Sequence, residues 1–141
     1  MKKFLIALGV IIVLGVLYYL VSPLFITIEV QDELPETNET VSEGEVVASQ
    51  IIGTSGHPAS GTVRIVGDYI RFEDFYTING PALHVYLSKD LEANDYVDLG
   101  KTKGTEGNIN YKIPENVDIE AYKYVLHWCK PFSVLFNYGE I

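Results

Sequence analysis

From Val46 to the last residue, Ile141, no stretch of the chain sustains a helical period. Short runs rich in Val, Ile, Tyr and Phe alternate instead with Gly, Pro and Asn, and strand signals of this kind recur roughly every 8–15 residues, as in an antiparallel β-sandwich. Each run is too short to bury an apolar face alone, so the runs must pair into sheets that cover one another.

The individual runs can be placed. Val46–Ile52 reads as a first strand ending at Gly53, followed by a turn-rich loop, Gly56-His57-Pro58-Ala59-Ser60-Gly61. Thr62–Val66 and Tyr69–Glu73 flank Gly67-Asp68, a two-residue loop with glycine first, which predicts a hairpin. Alternation in that hairpin turns Val63, Ile65, Ile70 and Phe72 inward and Arg64 and Arg71 outward. Asn79-Gly80-Pro81 is a tight turn into Ala82–Leu87, where Leu83, Val85 and Leu87 alternate with His84 and Tyr86. Tyr96–Leu99 and Asn108–Ile113 read as strands around a glycine-rich loop, and Asn116–Glu120 as a short helical turn. The last twenty residues form two strands around Lys130-Pro131. They hold the chain's one tryptophan, Trp128, and its one cysteine, Cys129. Leu126, Trp128, Val134 and Phe136 complete the expected core. Strand geometry puts His127 and Cys129 on one face, roughly 6.5–7 Å apart at Cα.

The N-terminal part is of a different kind. Lys2 and Lys3 precede Phe4 to Val21, a run with no charge. As a helix it spans about 27 Å, close to the roughly 30 Å hydrocarbon core of a bilayer. Tyr18 and Tyr19 fall where an interfacial aromatic belt sits, and Ser22-Pro23 ends the helix. No small-residue cleavage site and no lipobox cysteine follows Val21, which favours an uncleaved anchor over a cleaved signal sequence. The two lysines place the N-terminus inside and the remainder outside the cell membrane, as a single-pass protein. The expected division is therefore an anchor over residues 1–22, a linker over 23–45 and a β domain over 46–141. Residues 29–45 contain seven acids and no base, a composition that predicts an extended, self-repelling tether. Asn38-Glu39-Thr40 is a sequon within it, a candidate glycosylation site at Asn38.

The charge of −9 is spread unevenly, and the β domain carries eight bases against twelve acids. That balance argues against a nucleic-acid partner, which demands a basic face. One cysteine excludes an internal disulfide and any cysteine-rich zinc or iron–sulfur site made by one chain.

The ordered pieces Gly56-His57-x-x-Ser60-Gly61, Phe75 with Asn79-Gly80-Pro81, Val85-Tyr86-Leu87-Ser88, Leu99-Gly100 with Lys103-Gly104-x-x-Gly107-Asn108-x-Asn110-Tyr111, Ile113-Pro114 and Trp128-Cys129-x-x-Phe132-Ser133-Val134 resemble the DM-thirteen domain family over roughly residues 50–141. That family is an electron-transfer module related in outline to the DOMON-type β-sandwich. The resemblance implies an extracytoplasmic domain whose cysteine acts in redox chemistry, as a bare thiol or by holding a prosthetic group such as haem. Cys129 falls on that position, and His57 falls in the family's first motif, as a second ligand or base. His127 is the local alternative, from its shared face with Cys129.

Competing chemistries find less support. A blue-copper centre needs two His, a Cys and a weak axial ligand, usually Met, but the chain's one Met is Met1. Covalent c-type haem needs Cys-x-x-Cys-His, which is absent. No Ser-His-Asp or paired-carboxylate arrangement points to a hydrolase. His84 opposes the apolar face of its strand and is expected to be solvated. Two readings remain: a membrane-tethered redox module with an unidentified protein partner, and a non-catalytic surface binding or adhesion domain in which Cys129 only packs.

Overall fold

The computed structural model describes residues 1–36 and 48–141; the candidate glycosylation site Asn38 lies outside them. The described residues are mostly β, with two five-stranded sheets and one long helix among them. That helix, α1 (Lys2–Val21), buries none of its side chains. It is long and apolar enough to cross a membrane, and the same length and composition suit a signal sequence. Ser22 closes it with a backbone N–H to the Tyr18 carbonyl, and a 3₁₀ turn, Ser22–Phe25, follows.

Ten strands follow among the described residues: β1 (Glu29–Gln31), β2 (Ser49–Gln50), β3 (Ile52–Gly53), β4 (Ala59–Val66), β5 (Tyr69–Thr77), β6 (Leu83–Ser88), β7 (Tyr96–Lys101), β8 (Glu106–Lys112), β9 (Tyr124–Cys129) and β10 (Val134–Glu140). One sheet runs β1-β8-β5-β4-β2 and the other β3-β10-β9-β6-β7. A buried cluster draws Val63, Ile70, Phe72, Phe75, Ile109 and Tyr111 from the first sheet and Val85, Leu87 and Val125 from the second. The two sheets therefore share one core.

The expected hairpin is present, with Gly67 at φ 53° and Val66 opposite Tyr69. Both strands run further than expected because bulges, between Ser60 and Thr62 and between Phe72 and Phe75, let them continue. Gly61 sits in the first bulge at φ 107°, so close to β5 that a Cβ would meet the Asp74 and Glu73 carbonyls. Between Gln50 and Ile52 the chain crosses from one sheet to the other. Ile51, 6% exposed, fills the corner and its N–H donates to the Gly61 carbonyl. The expected single strand is thus two short ones, while Val46 and Val47 lie outside the described residues. The expected helical turn is a 3₁₀ turn, Ile119–Ala121, with the Asp118 side chain accepting from the Glu120 N–H.

Three expectations are corrected. The start of the acidic stretch is a strand: β1 pairs in parallel with β8, Glu29 beside Glu106 and Gln31 beside Asn108. Every other strand pair among the described residues is antiparallel. Arg71 does face away from the shared core, but it is 5% exposed, because residues 32 and 33 lie over it. Trp128 is partly exposed rather than central. It is the Val125, His127 and Cys129 face of β9 that turns inward, while Trp128 lies on the other face, 6.3 Å from the Tyr86 ring.

Candidate thiol site

Cys129 is the last residue of β9, opposite Leu83 of β6 and Val134 of β10. It is 1% exposed and packs with Leu83, Phe136, Ile78 and Val134. Its Sγ donates to the Pro81 carbonyl at 3.2 Å. Burial pushes the thiol pKa up, and the Phe132 backbone N–H pulls it the other way. The thiol thus has an acceptor for its proton on one side and a donor for a thiolate on the other.

Two loops close over it, residues 78–82 and the 3₁₀ turn Lys130–Phe132. Each ends in a non-glycine residue with left-handed backbone, Ala82 at φ 49° and Ser133 at φ 50°. The Lys130 N–H donates to the Ala82 carbonyl, which ties the two loops together, and the Ser133 N–H closes the second turn on the Lys130 carbonyl. Gly80 is required there by contact: a Cβ would lie 2.7 Å from the Phe136 ring.

His127 shares the inward face, two residues before Cys129. Its ring stacks on Phe75 at 4.8 Å and lies 5.0 Å from Phe72. Burial lowers its pKa to about 4, so the ring is neutral at neutral pH. Neither ring nitrogen has a hydrogen-bond partner among the described residues, and neither does Oδ1 of Asn137. Asn137, its cross-strand partner, favours the charged ring weakly without closing a bond of good geometry, while its Nδ2 donates to Thr77 Oγ1 at 2.9 Å.

His57 belongs to a tight turn: its N–H donates to the Thr54 carbonyl and its Nδ1 lies 3.1 Å from Thr54 Oγ1. Its ring stacks on Phe136 at 3.9 Å. Phe136 in turn packs in the cluster with Cys129, so these contacts link His57 to the thiol through one aromatic ring. His84 is tied rather than free, with Nδ1 2.9 Å from Asp98 Oδ1. Against the cost of burial, His84, Lys130 and the Gly100 N–H hold the Asp98 pKa below its ordinary value.

Cys129, His127 and, at one remove, His57 thus gather at one end of the domain. The partners that complete the site were missed: Pro81, Phe136, Phe75 and Asn137. Pro81 and Phe75 stand in the quoted motifs, but no residue pattern says which carbonyl a thiol will reach. Among the described residues no group of three His, Cys, Asp or Glu is arranged to hold a metal ion.

The fold and site define a class: a mostly β, two-sheet domain with one thiol buried where one end closes. The chain belongs to the DM13 family, whose model, described as Electron transfer DM13, matches residues 51–141. No curated protein and no solved structure matches the chain.

Proposed function

We propose that the chain is a membrane-tethered, extracytoplasmic electron-transfer module, a β-sandwich whose redox group is the bare thiol of Cys129. The observation that carries this reading is that its family is one of electron transfer and that its one thiol lies where two strained loops meet. Strained backbone of this kind is concentrated at functional sites.

A haem does not fit these residues as packed. The His127 ring is filled against by Phe75 and Phe72, and Cys129 by Leu83 and Phe136, leaving no slot for a porphyrin beside either. The chemistry left to the thiol is exchange. Cys129 gives up its proton to water as the Pro81 carbonyl withdraws, and the Phe132 N–H receives the thiolate. The thiolate attacks a disulfide of the partner protein, one S–S bond forms as another breaks, and the departing thiolate takes up a proton. His57 and Phe136 hold the wall of the site, and His127 stays neutral beneath it. Both covering loops must part for this, because the thiolate is the reactive form and the thiol is covered.

The burial of Cys129 favours the second reading, a binding or adhesion domain in which the thiol only packs. Alkylation of the native protein with iodoacetamide separates the two, measured alongside its visible absorption. The redox reading expects slow native labelling, with Cys129→Ser folded but unable to exchange with a model disulfide. A colourless protein labelled only in denaturant defeats it and leaves the binding domain.

A further inference from the structure

The chain enters the β domain at the end that holds Cys129. The Ile26 carbonyl accepts from Asn79 Nδ2 at 3.4 Å, and Asn79 belongs to the same loop as Pro81. The Ile28 carbonyl accepts from the Thr105 and Glu106 amides at 2.7 and 3.1 Å, and the Ile28 N–H donates to Thr105 Oγ1 at 2.9 Å. Strand registers agree: β1 starts beside Glu106, β4 starts opposite Thr77, and β6 and β10 both start opposite Cys129. All of these mark one end of the paired sheets.

That attachment leaves no slack. The turn after α1 ends at Phe25, next to the first bonded residue, Ile26. From Phe25 to Ile28 the chain takes three steps and reaches at most about 11 Å when fully extended. The acidic stretch cannot supply a spacer, because it begins after this attachment and leads from β1 to β2 within the domain. The same end exposes apolar side chains, Phe25 at 83%, Ile26 at 52% and Phe132 at 54%. Charge is mixed at both ends: Lys101 and Lys130 stand near Glu29, Glu106 and Asp98 here, and Lys89 and Lys123 stand among the carboxylates of the opposite end, so it is the exposed apolar side chains that set this end apart. Exposed aromatic and apolar side chains of this kind suit the interfacial region of a bilayer.

We infer that the β domain rests directly on the bilayer surface, with Phe25, Ile26 and Phe132 at headgroup level and the Cys129 end turned toward the lipid. The inference rests on the reading of α1 as an uncleaved span. A redox partner then meets Cys129 from the plane of the membrane.

The test uses the full chain in vesicles of phosphatidylcholine and phosphatidylglycerol, with a headgroup-nitroxide phosphatidylcholine as quencher. In a Trp128→Phe background, a single tryptophan is placed at the near end by Phe132→Trp or at the far end by Glu115→Trp. The near probe is expected to be quenched several-fold more than the far one. Equal quenching, in a chain that resists carbonate extraction with its N-terminus intact by mass, overturns the docking and leaves the tether standing. A chain extracted by carbonate, or lacking its first residues, overturns the tether and the docking together. Should Trp128→Phe fail to fold, hydrogen exchange in the unaltered chain decides. Amides of residues 130–134 slow in vesicles relative to micelles while those of 115–120 do not, and unchanged exchange at both overturns the docking.

Discussion

Ala82 and Ser133 take up left-handed backbone on either side of a buried thiol, a conformation that disfavours any residue with a Cβ. Glycine at either position relieves that strain, so Ala82→Gly and Ser133→Gly are each expected to raise stability by about 1 kcal/mol, read from urea unfolding. If the strain serves exchange at Cys129, the stabilised variants label more slowly with iodoacetamide. His127 makes a second prediction at this scale. Its folded pKa is lowered from 6.5 to about 4 by burial, so the stability of the neutral ring is complete above 6.5 and is lost as pH falls toward 4. A shift of this size corresponds to on the order of 3 kcal/mol. His127→Phe keeps an aromatic ring in the stack and removes the titration. Melting followed from pH 7 to pH 4 is therefore expected to drop less steeply in the variant; parallel curves place the acid sensitivity elsewhere. Cys129 behaves oppositely, since its raised pKa makes the folded protein lose stability as pH rises past the ordinary thiol value.

At the scale of elements, β1 exists because β8 offers it an edge and Arg71 locks the chain that follows. Arg71 Nη1 donates to the Asp32 and Glu33 carbonyls at 3.2 and 3.3 Å and to Asn110 Oδ1 at 2.9 Å, while its Nε donates to Glu73 at 2.8 Å. Asp32 answers from the other side, its carboxylate accepting from the Asn110 N–H at 2.9 Å. Arg64 first, and then Arg71, hold Glu73 ionised, its pKa lowered in spite of partial burial. Gly107, at φ 108°, lets β1 approach, since a Cβ would run into the Val30 carbonyl. Arg71→Ala leaves buried acceptors without a donor, and a loss of about 2–3 kcal/mol is expected. Hydrogen exchange should localise that loss, with the amides of residues 30–33 speeding up far more than those of β9. Uniform change across the domain would show Arg71 to be ordinary core support instead of a lock on β1.

For the whole molecule, the consequence is that the stable unit begins before the acidic stretch. A fragment starting at Ala48 leaves the β8 edge unpaired and uncovers Arg71 and Asn110. One starting at Ile26 keeps both. Both fragments are expected to give β-dominated far-ultraviolet spectra, but the longer one should melt higher and stay soluble at higher concentration, because an open strand edge invites pairing between molecules. Identical melting would reduce β1 to a passive appendage. The same attachment ties the thiol end of the domain to the end of α1, so an orientation that concerns the whole chain rests on contacts of Ile26 and Ile28.

Local pattern determined most of the elements. Alternation across Val63, Ile70, Phe72, Leu83, Val85 and Leu87 chose the buried faces, Gly67-Asp68 chose the hairpin, and an uncharged run chose α1, because each rests on neighbours in sequence. The family was legible too, since it lies in ordered motifs from Gly56 to Val134. Tertiary structure alone decided which face of β9 points inward, since both of its faces are apolar and alternation cannot rank them. It decided that Arg71 is buried, because its cover comes from residues 32 and 33, nearly forty positions away. It made the acidic stretch part strand, because a partner edge can order a segment whose own composition predicts none. It brought Pro81 to Cys129 across 48 positions, and no local pattern encodes a contact whose partners meet only when both sheets have closed.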